Sequence, residues 1–394
     1  MMEMLCHKLP RETHRFRDVR EIWGNPIEAQ ETFDALPSYE ARVEWAREKL
    51  CQETAWCDTH GGYCCIQTSA QVRTGGFPCI DWSGIGKKKY FDGPMLSTAF
   101  AFGAKARTAR SPCVCVENVE QCPETLVHDA FGDDYEWTVN TVVDPSCVGF
   151  EHISRTRTDF MAAVLWGRYM VGRNINETEE IQDASFMLQY IQHCCQRDLP
   201  LPDDVLLATP KEVALDASHL AASSRQGKRV FSGCGSDHSI LLSSEQKRLR
   251  VYRDMYMEAP HPKPPIREVV CHLGDNPEAG FVNWSLKSGK WPTLRRAGSL
   301  YYALGLRRHV TLQEMYLAMG FPTHAVACQC SYLSTEMPTV QPGCSWFDAR
   351  RALGNSMCVP NVGTVAAAGL MCLRRKTVPL PLSELLAKID GHTA

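Results

Sequence analysis

Apolar and polar positions follow two different patterns along the first third of the chain. From 21 to 55, charged and apolar residues mix at helical spacing and are interrupted at Pro37, which predicts a helix on either side of that proline. From about residue 70, short apolar runs are separated by glycine and proline. The run at 112–116 predicts the end of a buried strand that leads directly into Glu117 and Asn118.

A helix is predicted over 94–110, where apolar residues recur at helical spacing and the last turn is basic. Since the glycine-rich stretch 75–86 precedes this helix and the run 112–116 follows it, the local order is strand, loop, helix, strand. That order predicts an α/β fold with a Rossmann-like, mainly parallel, doubly wound sheet. Helical patterns return at 311–319 and 361–373.

The stretch 173–290 differs from its surroundings because it is more polar and shows no clear period. Its proline-rich turns at 199–202 and 260–265 indicate a second, smaller and irregular domain. The sequence therefore predicts four parts: an N-terminal helical segment at 1–70, alternatively an incomplete cofactor-binding half, a catalytic core at 71–172, the second domain at 173–290, and a C-terminal return to the first domain at 291–394.

Composition narrows the class of protein. The chain has 394 residues, of which 44% are hydrophobic and 22% charged, and this balance is typical of a soluble globular protein with a sizeable core. No apolar run is long enough for a membrane span, and the first residues lack the apolar stretch of a secretory signal, so we expect an intracellular protein, nuclear if eukaryotic and otherwise cytoplasmic. The 19 cysteines form no small-domain framework, which predicts mostly reduced thiols. With a net charge of -3, nucleic-acid binding would have to depend on local basic patches.

Three groups of chemically versatile residues follow the predicted strands. Cys79 comes after a proline in a glycine-flanked loop, although a single Pro-Cys pair also fits a buried structural cysteine. Glu117 ends the next predicted strand, so a βαβ unit would bring it to the same sheet edge as Cys79, whereas in isolation it fits a helix cap or a solvated carboxylate. Arg155 and Arg157 alternate, which would point both guanidinium groups to one face of a strand.

These segments resemble motifs of a known family. Three of them resemble the Pro-Cys nucleophile loop, the Glu-Asn-Val segment and the Gln-x-Arg-x-Arg segment of the cytosine-C5 DNA methyltransferases, and they read GGFPCIDWSGIGKKK, CVCVENV and ISRTRTDF. Two later segments, at 308–322 and 354–360, resemble the motif before the family's C-terminal return and its final Gly-Asn motif. The resemblance spans 75–370, and 173–290 lies where the family keeps its target-recognition domain.

The resemblance implies methyl transfer from S-adenosyl-L-methionine to C5 of a cytosine flipped out of double-stranded DNA. Cytosine C5 is a poor nucleophile until a thiolate adds at C6, and the resemblance assigns that addition to Cys79. It assigns to Glu117 the acid that holds the base near N3, and to Arg155 and Arg157 the clamping of the base and the nucleophile loop.

The resemblance also implies contacts with the cofactor and with DNA. Pro78, Asn355 and Ser356 would contact S-adenosyl-L-methionine, and Ser83 would lie near the DNA backbone. Two basic patches could meet phosphates, one beside the nucleophile loop and one in the acid-free stretch 291–311, and their predicted contacts are Lys87, Lys88, Arg307 and Arg308. RNA is a less expected partner than DNA, and no membrane partner is expected.

Three departures from the family pattern leave an alternative open. Residues 1–74 lack the family's Phe-x-Gly-x-Gly cofactor loop, and the only such sequence, 231–235, comes late in the chain. Ile80 and Ile153 stand where the family prefers glutamine. The alternative is a catalytically impaired protein with the methyltransferase fold that binds nucleic acid or a partner.

A cluster of cysteines and a histidine before the first motif has the residue types of a zinc site. Cys57, His60, Cys64 and Cys65 have suitable residue types in the pattern C-x2-H-x3-C-C. Because adjacent cysteines seldom both bind one ion in a compact site, the sequence favours no metal at this position.

Overall fold

The computed structural model describes fifteen stretches of the chain. They are residues 14, 16–66, 70–78, 81–82, 88–143, 145–148, 167–195, 205–224, 228–233, 238–286, 291–292, 294, 299–325, 345–354 and 358–376. The α-helices are α1 (Pro26–Asp34), α2 (Tyr39–Glu48), α3 (Leu96–Thr108), α4 (Glu124–Phe131), α5 (Ala184–Cys195), α6 (Pro210–Ala222), α7 (Ser243–Glu258), α8 (Leu312–Ala318), α9 (Trp346–Gly354) and α10 (Val359–Cys372).

The described strands form four sheets. They are β1 (Thr54–Cys57), β2 (Gly62–Cys65), β3 (Val72–Gly76), β4 (Cys113–Val119), β5 (Tyr135–Val143), β6 (Gly167–Asn174), β7 (Thr178–Glu180), β8 (Val270–His272), β9 (Tyr301–Ala303), β10 (Arg308–His309) and β11 (Leu373–Arg375). Among the described helices, none is both long and apolar enough to cross a membrane.

The N-terminal helices confirm the break predicted at Pro37. Asn25 caps α1 by accepting a hydrogen bond from the Ile27 backbone N–H, and Pro26 occupies the first turn, where a missing N–H costs nothing. Helix α2 begins after Ser38, whose hydroxyl accepts from the Ala41 N–H. Both helices bury an apolar face against the sheet-bearing part of the molecule.

The largest sheet has the order β3-β4-β6-β5. Strands β3 and β4 are parallel and are joined through α3, as the sequence predicts. The sheet is mixed: β3, β4 and β5 run in the same direction, whereas β6 returns antiparallel and inserts between β4 and β5. The fold is α/β with a mixed sheet.

Strand β4 is apolar without interruption from Cys113 to Val116, before Glu117 and Asn118. Val114 and Val116 belong to the core that α3, α4 and the N-terminal helices share, whereas Cys113 and Cys115 belong to the core beneath α5 and α10. Since successive side chains of a strand point to opposite faces, a strand covered on both faces must be apolar at every position. The sheet is the middle layer of three.

A second core gathers residues from Val205 to Cys358, with Tyr252, Tyr301 and Trp346 fully buried at its centre. The stretch 173–290 is not irregular, since it contains α5, α6 and α7. Helix α7 was missed because Glu245 takes the first of its buried positions and most of the rest of its surface is charged. The division into four parts stays a prediction. Strand β8 lies before the predicted boundary at 290 and β9 lies after it, and the two strands pair in this core.

Candidate functional site

The carboxyl ends of β3 and β4 lie side by side. Gly76, the last residue of β3, is in register with Glu117 near the end of β4. Pro78 follows Gly76 by two residues, and Cys79 comes next but lies outside the described residues. Polar groups at such an edge line the usual binding crevice of α/β sheets.

Asn118 fixes the chain just before Pro78. Its side-chain amide donates a hydrogen bond of 3.1 Å to the carbonyl oxygen of Phe77, and its Oδ1 accepts from the Val119 N–H at 2.8 Å. Both Asn118 and Phe77 are buried. Asn118 is therefore a positioning residue for the loop, and its signal in the sequence is its place beside Glu117 at the strand end.

Asp81 fixes the chain on the far side of Cys79. It is buried and accepts a hydrogen bond of 3.2 Å from the backbone N–H of Met95, at the start of α3, where the helix dipole favours a carboxylate. Gly93 is required beside it, because a Cβ there would lie 2.0 Å from the Asp81 carboxylate. The sequence prediction missed Asp81, which carries no motif-level signal beyond its position in the loop.

The carboxyl group of Glu117 is surrounded by protein, although part of the residue reaches solvent. Burial raises its pKa to about 7, which leaves a large neutral fraction near neutral pH. Tyr169 is its register partner on β6, and burial together with the charge of Glu117 raises the pKa of the tyrosine well above its ordinary value. The site thus contains a carboxyl group that is able to give or take a proton near pH 7.

Helix α10 begins at the same sheet edge. The side-chain amide of Asn361 donates a hydrogen bond of 3.0 Å to the carbonyl oxygen of Val143, and Val143 is in register with Gly167, which is in register with Val119. At the other end of the helix, a Cβ on Gly369 would lie 3.3 Å from the Cys113 sulfur, at the opposite end of β4. Chain continuity therefore carries the segment that precedes α10 to the edge where Glu117 lies.

Asn355 and Ser356 belong to that segment and lie outside the described residues. Arg155 and Arg157 also lie outside them, between Val148 and Gly167. Strand β5 ends and β6 begins at the edge of Glu117, so the chain that bears the two arginines leaves from this edge and returns to it.

The predicted phosphate contacts have different surroundings. Lys88 is exposed ahead of α3 and has a left-handed backbone conformation, with φ 51°. Ser83 and Lys87 lie outside the described residues. Arg307 is also exposed, in a turn with φ 55°.

The assignment of Arg308 to DNA phosphates needs correction. Its side chain is only 10% exposed, and its two terminal nitrogens bind the two oxygens of Glu314 at 2.9 and 2.7 Å. Glu314 also accepts from the backbone N–H groups of Ala208 and Thr311. The guanidinium group of Arg308 is thus used inside the protein, since Glu314 is buried and needs a counter-ion.

The described residues before Pro78 contain no glycine turn between a strand of the large sheet and a helix. Gly61 and Gly62 lie in the turn between β1 and β2 and at the start of β2, and Gly24 follows a 3-10 turn. Of the late sequence 231–235, the described Phe231 packs against the second core. Among the described residues near this edge, Pro78 is therefore the predicted cofactor contact that remains.

Comparison with known proteins gives little further information. No protein-family model matches the chain, and no curated protein sequence matches it. The solved structure of the Entamoeba histolytica methyltransferase EhMeth superposes with a TM-score of 0.38 and 11% identity, over 85% of this chain and 88% of that chain.

Proposed function

We propose that this protein is an S-adenosyl-L-methionine-dependent DNA (cytosine-5)-methyltransferase with Cys79 as its nucleophile. The observation that supports this most strongly is the convergence of its motif-bearing segments. The ends of β3, β4 and β5, the start of β6 and the start of α10 all lie at one edge of the sheet, next to the motif-bearing segments in the chain. Those segments bear Cys79, Glu117, the two arginines and the Gly-Asn motif.

In the proposed reaction, the Cys79 thiolate adds to C6 of a flipped cytosine, and the electrons of the C5–C6 double bond move into the ring. Glu117 shares its proton with N3 as negative charge develops there, which its pKa of about 7 permits at neutral pH. The hydrogen bonds of Asn118 and Asp81 hold the loop on both sides of the thiol, which reduces the entropy cost of the attack. Arg155 and Arg157 are proposed to clamp the base and the loop.

S-adenosyl-L-methionine would supply the methyl group that C5 accepts and would leave as S-adenosyl-L-homocysteine. Loss of the C5 proton would then expel the Cys79 thiolate and restore the C5–C6 double bond. Pro78, Asn355 and Ser356 are the proposed contacts, and they cover one side of such a ligand. A glycine turn that lets backbone N–H groups approach the cofactor is not found in the described residues before Pro78. We therefore propose weak cofactor binding by this chain.

The experiment separates nucleophilic addition from methyl transfer by using two DNA duplexes. One contains 5-azacytosine, whose ring accepts a thiolate without a methyl donor, and the other contains 5-fluorocytosine, which retains the enzyme only after methyl transfer. Wild type is expected to form a covalent band with the first duplex and a weaker band with the second. Cys79→Ser should form neither, and Cys51→Ser, a partly buried cysteine between α2 and β1 and outside the proposed site, should behave as wild type.

A second function is favoured by the missing glycine turn: a protein with this fold that binds nucleic acid without methylating it. Calorimetric titration with S-adenosyl-L-methionine distinguishes the two. Absence of binding, together with loss of both covalent bands, would support the binding protein. A band that survives in Cys79→Ser would contradict the assignment of the nucleophile.

A further inference from the structure

The hairpin of β1 and β2 brings three potential metal ligands together away from the sheet edge described above. Cys64 is in register with Ala55, and Cys57 lies two residues beyond Ala55 on β1. Since side chains alternate between faces, Cys57 and Cys64 share one face of the hairpin. His60 lies in the turn that joins the strands. In this turn the Gly61 N–H donates a hydrogen bond of 2.9 Å to the carbonyl oxygen of Cys57.

Two of the distances between these ligand atoms match the edges of a tetrahedral site. Nδ1 of His60 lies 3.4 Å from the sulfur of Cys57 and 3.3 Å from the sulfur of Cys64. A tetrahedron with zinc–sulfur bonds of about 2.3 Å and zinc–nitrogen bonds of about 2.0 Å has ligand-to-ligand edges of roughly 3.3 to 3.8 Å. The two measured edges therefore need little adjustment to accept an ion.

A fourth ligand comes from outside the hairpin. The ring of His14 lies 4.8 Å from that of His60, centroid to centroid, and a ligand atom from each of His14, Cys57, His60 and Cys64 lies within 4.8 Å of all the others. Nδ1 of His14 is buried and has no hydrogen-bond partner among the described residues. A buried ring nitrogen without a partner is costly unless it binds something.

Two further contacts hold the segment around His14 against the protein. Arg17 forms an ion pair of 2.7 Å with Asp58 in the hairpin turn. Phe16 packs beneath Lys105 of α3, with the ammonium nitrogen 5.2 Å from the ring centre. The segment that bears His14 is therefore held by one contact with the hairpin turn and one with α3.

We propose that His14, Cys57, His60 and Cys64 form a structural zinc site. The donor set of two sulfurs and two nitrogens favours zinc over harder cations, and four protein ligands leave no open position for catalysis. Cys65 is excluded, because it is in register with Thr54 on the other face of the hairpin and is exposed. The sequence pattern thus contained three of the ligands, and the fourth is a histidine 43 residues before Cys57.

The role of the ion would be to tie the N-terminal segment to the hairpin. Metal binding contributes to folding where the ligands are brought together only by the folded chain, and here they come from two separate segments. This proposal is independent of the proposed methyltransferase activity.

The test measures metal content and ligand identity in the full chain. After purification with zinc and removal of loosely bound metal, elemental analysis should give about one zinc per wild-type chain. Replacement by Co²⁺ should give the absorption of a tetrahedral ion with thiolate-to-cobalt charge transfer. Cys64→Ser and His14→Ala should each lower zinc affinity, measured by chelator competition, by at least the roughly 10- to 100-fold that loss of an outer-shell partner causes.

Cys65→Ser is the matched control, since it changes a cysteine of the same strand on the opposite face. It should keep the zinc stoichiometry, the cobalt spectrum and the affinity of wild type. Absence of zinc from wild type, or a disulfide between Cys57 and Cys64 under reducing purification, would overturn the site. Wild-type affinity in His14→Ala would overturn the assignment of His14, and a loss in Cys65→Ser as large as that in Cys64→Ser would overturn the assignment of the face.

Discussion

Two regions of the molecule bury carboxyl groups in opposite ways. In the second core, Glu245 and Glu314 each face an arginine, with Arg229 bound to Glu245 at 2.6 Å and Arg308 bound to Glu314 at 2.7 Å. At the edge of the large sheet, Glu117 has no such ion pair among the described residues, and its pKa rises to about 7 through burial. Burial also opposes ionisation of Glu245, but the hydrogen bonds and charge of Arg229 outweigh it and lower the pKa.

The difference teaches how to separate structural from functional carboxyl groups. A carboxyl group paired with an arginine holds neighbouring segments together, as Glu314 does for the starts of α6 and α8. An uncompensated carboxyl group in a crevice changes protonation state near neutral pH, which is a property of acids and bases in catalysis. The predictions below test this contrast.

The largest expected effect is on the proposed chemistry of Glu117. Glu117→Gln keeps the shape of the side chain but cannot exchange a proton with N3, so the rate of covalent adduct formation with 5-azacytosine DNA should fall on the order of 10²- to 10⁴-fold. The time course of the covalent band on a denaturing gel measures this rate. Glu124→Gln, an acid on the exposed side of α4, should react as wild type. An unchanged rate in Glu117→Gln would remove Glu117 from the proposed mechanism.

The second effect concerns stability in the other region. Arg308→Met leaves Glu314 buried without its counter-ion, so the free energy of unfolding should fall by about 3 to 5 kcal/mol. Urea denaturation measures the change. The neighbouring exposed Arg307→Met should change stability by less than about 0.5 kcal/mol. An equal loss of stability in the two variants would mean that the ion pair with Glu314 stabilises the protein no more than an exposed arginine does.

The third effect is the pH dependence that the raised pKa of Glu117 imposes on folding. Between the ordinary value of 4.5 and about 7, the unfolded chain loses this proton while the folded chain keeps it. This group's contribution to folding is therefore present below pH 4.5, decreases as the pH rises toward 7, and is lost above it. The loss is at most about 3 kcal/mol, and solvent access to part of the residue makes it smaller.

Unfolding of wild type and Glu117→Gln at pH 5 and pH 8 measures this dependence. The free energy of unfolding of the variant minus that of wild type should be larger at pH 8 than at pH 5, because an amide carries no charge to bury. A constant difference between the two proteins across this range would contradict the raised pKa.

The smallest effect is expected at the exposed basic residues and rests on the proposed DNA partner. Arg307→Ala should reduce the slope of log affinity against log salt by about 1, since one fewer counter-ion is released from DNA. Fluorescence anisotropy with a labelled duplex at several salt concentrations measures the slope. Arg351→Ala is a control, because Arg351 is exposed but pairs with Asp348 on α9. The same slope in Arg307→Ala and wild type would exclude Arg307 from the DNA-binding surface.

Local pattern was sufficient for elements whose neighbours in the chain decide their structure. The helices on either side of Pro37, the strand ending at Glu117 and helix α3 lie where periodicity and helix-end signals predicted them. Helix α7 was missed because its buried face is built from Glu245, Leu249, Tyr252 and Tyr256, and the pairing of Glu245 with Arg229 cannot be read from spacing. The order strand, helix, strand predicted that the ends of β3 and β4 meet at one edge of the sheet. It did not predict that Asn118 and Asp81 anchor the loop that follows β3.

The sequence by itself determined which residue types are available: the thiol of Cys79, the acid of Glu117, and a cysteine and histidine pattern at 57–64. Only the tertiary structure decided their surroundings. It pairs Arg308 with Glu314, leaves Glu117 in a protein environment that raises its pKa, and brings His14 to the hairpin while turning Cys65 away. The physical reason is that burial, counter-ions and ligand distances depend on segments far apart in the chain, and local spacing contains no information about which segments will meet.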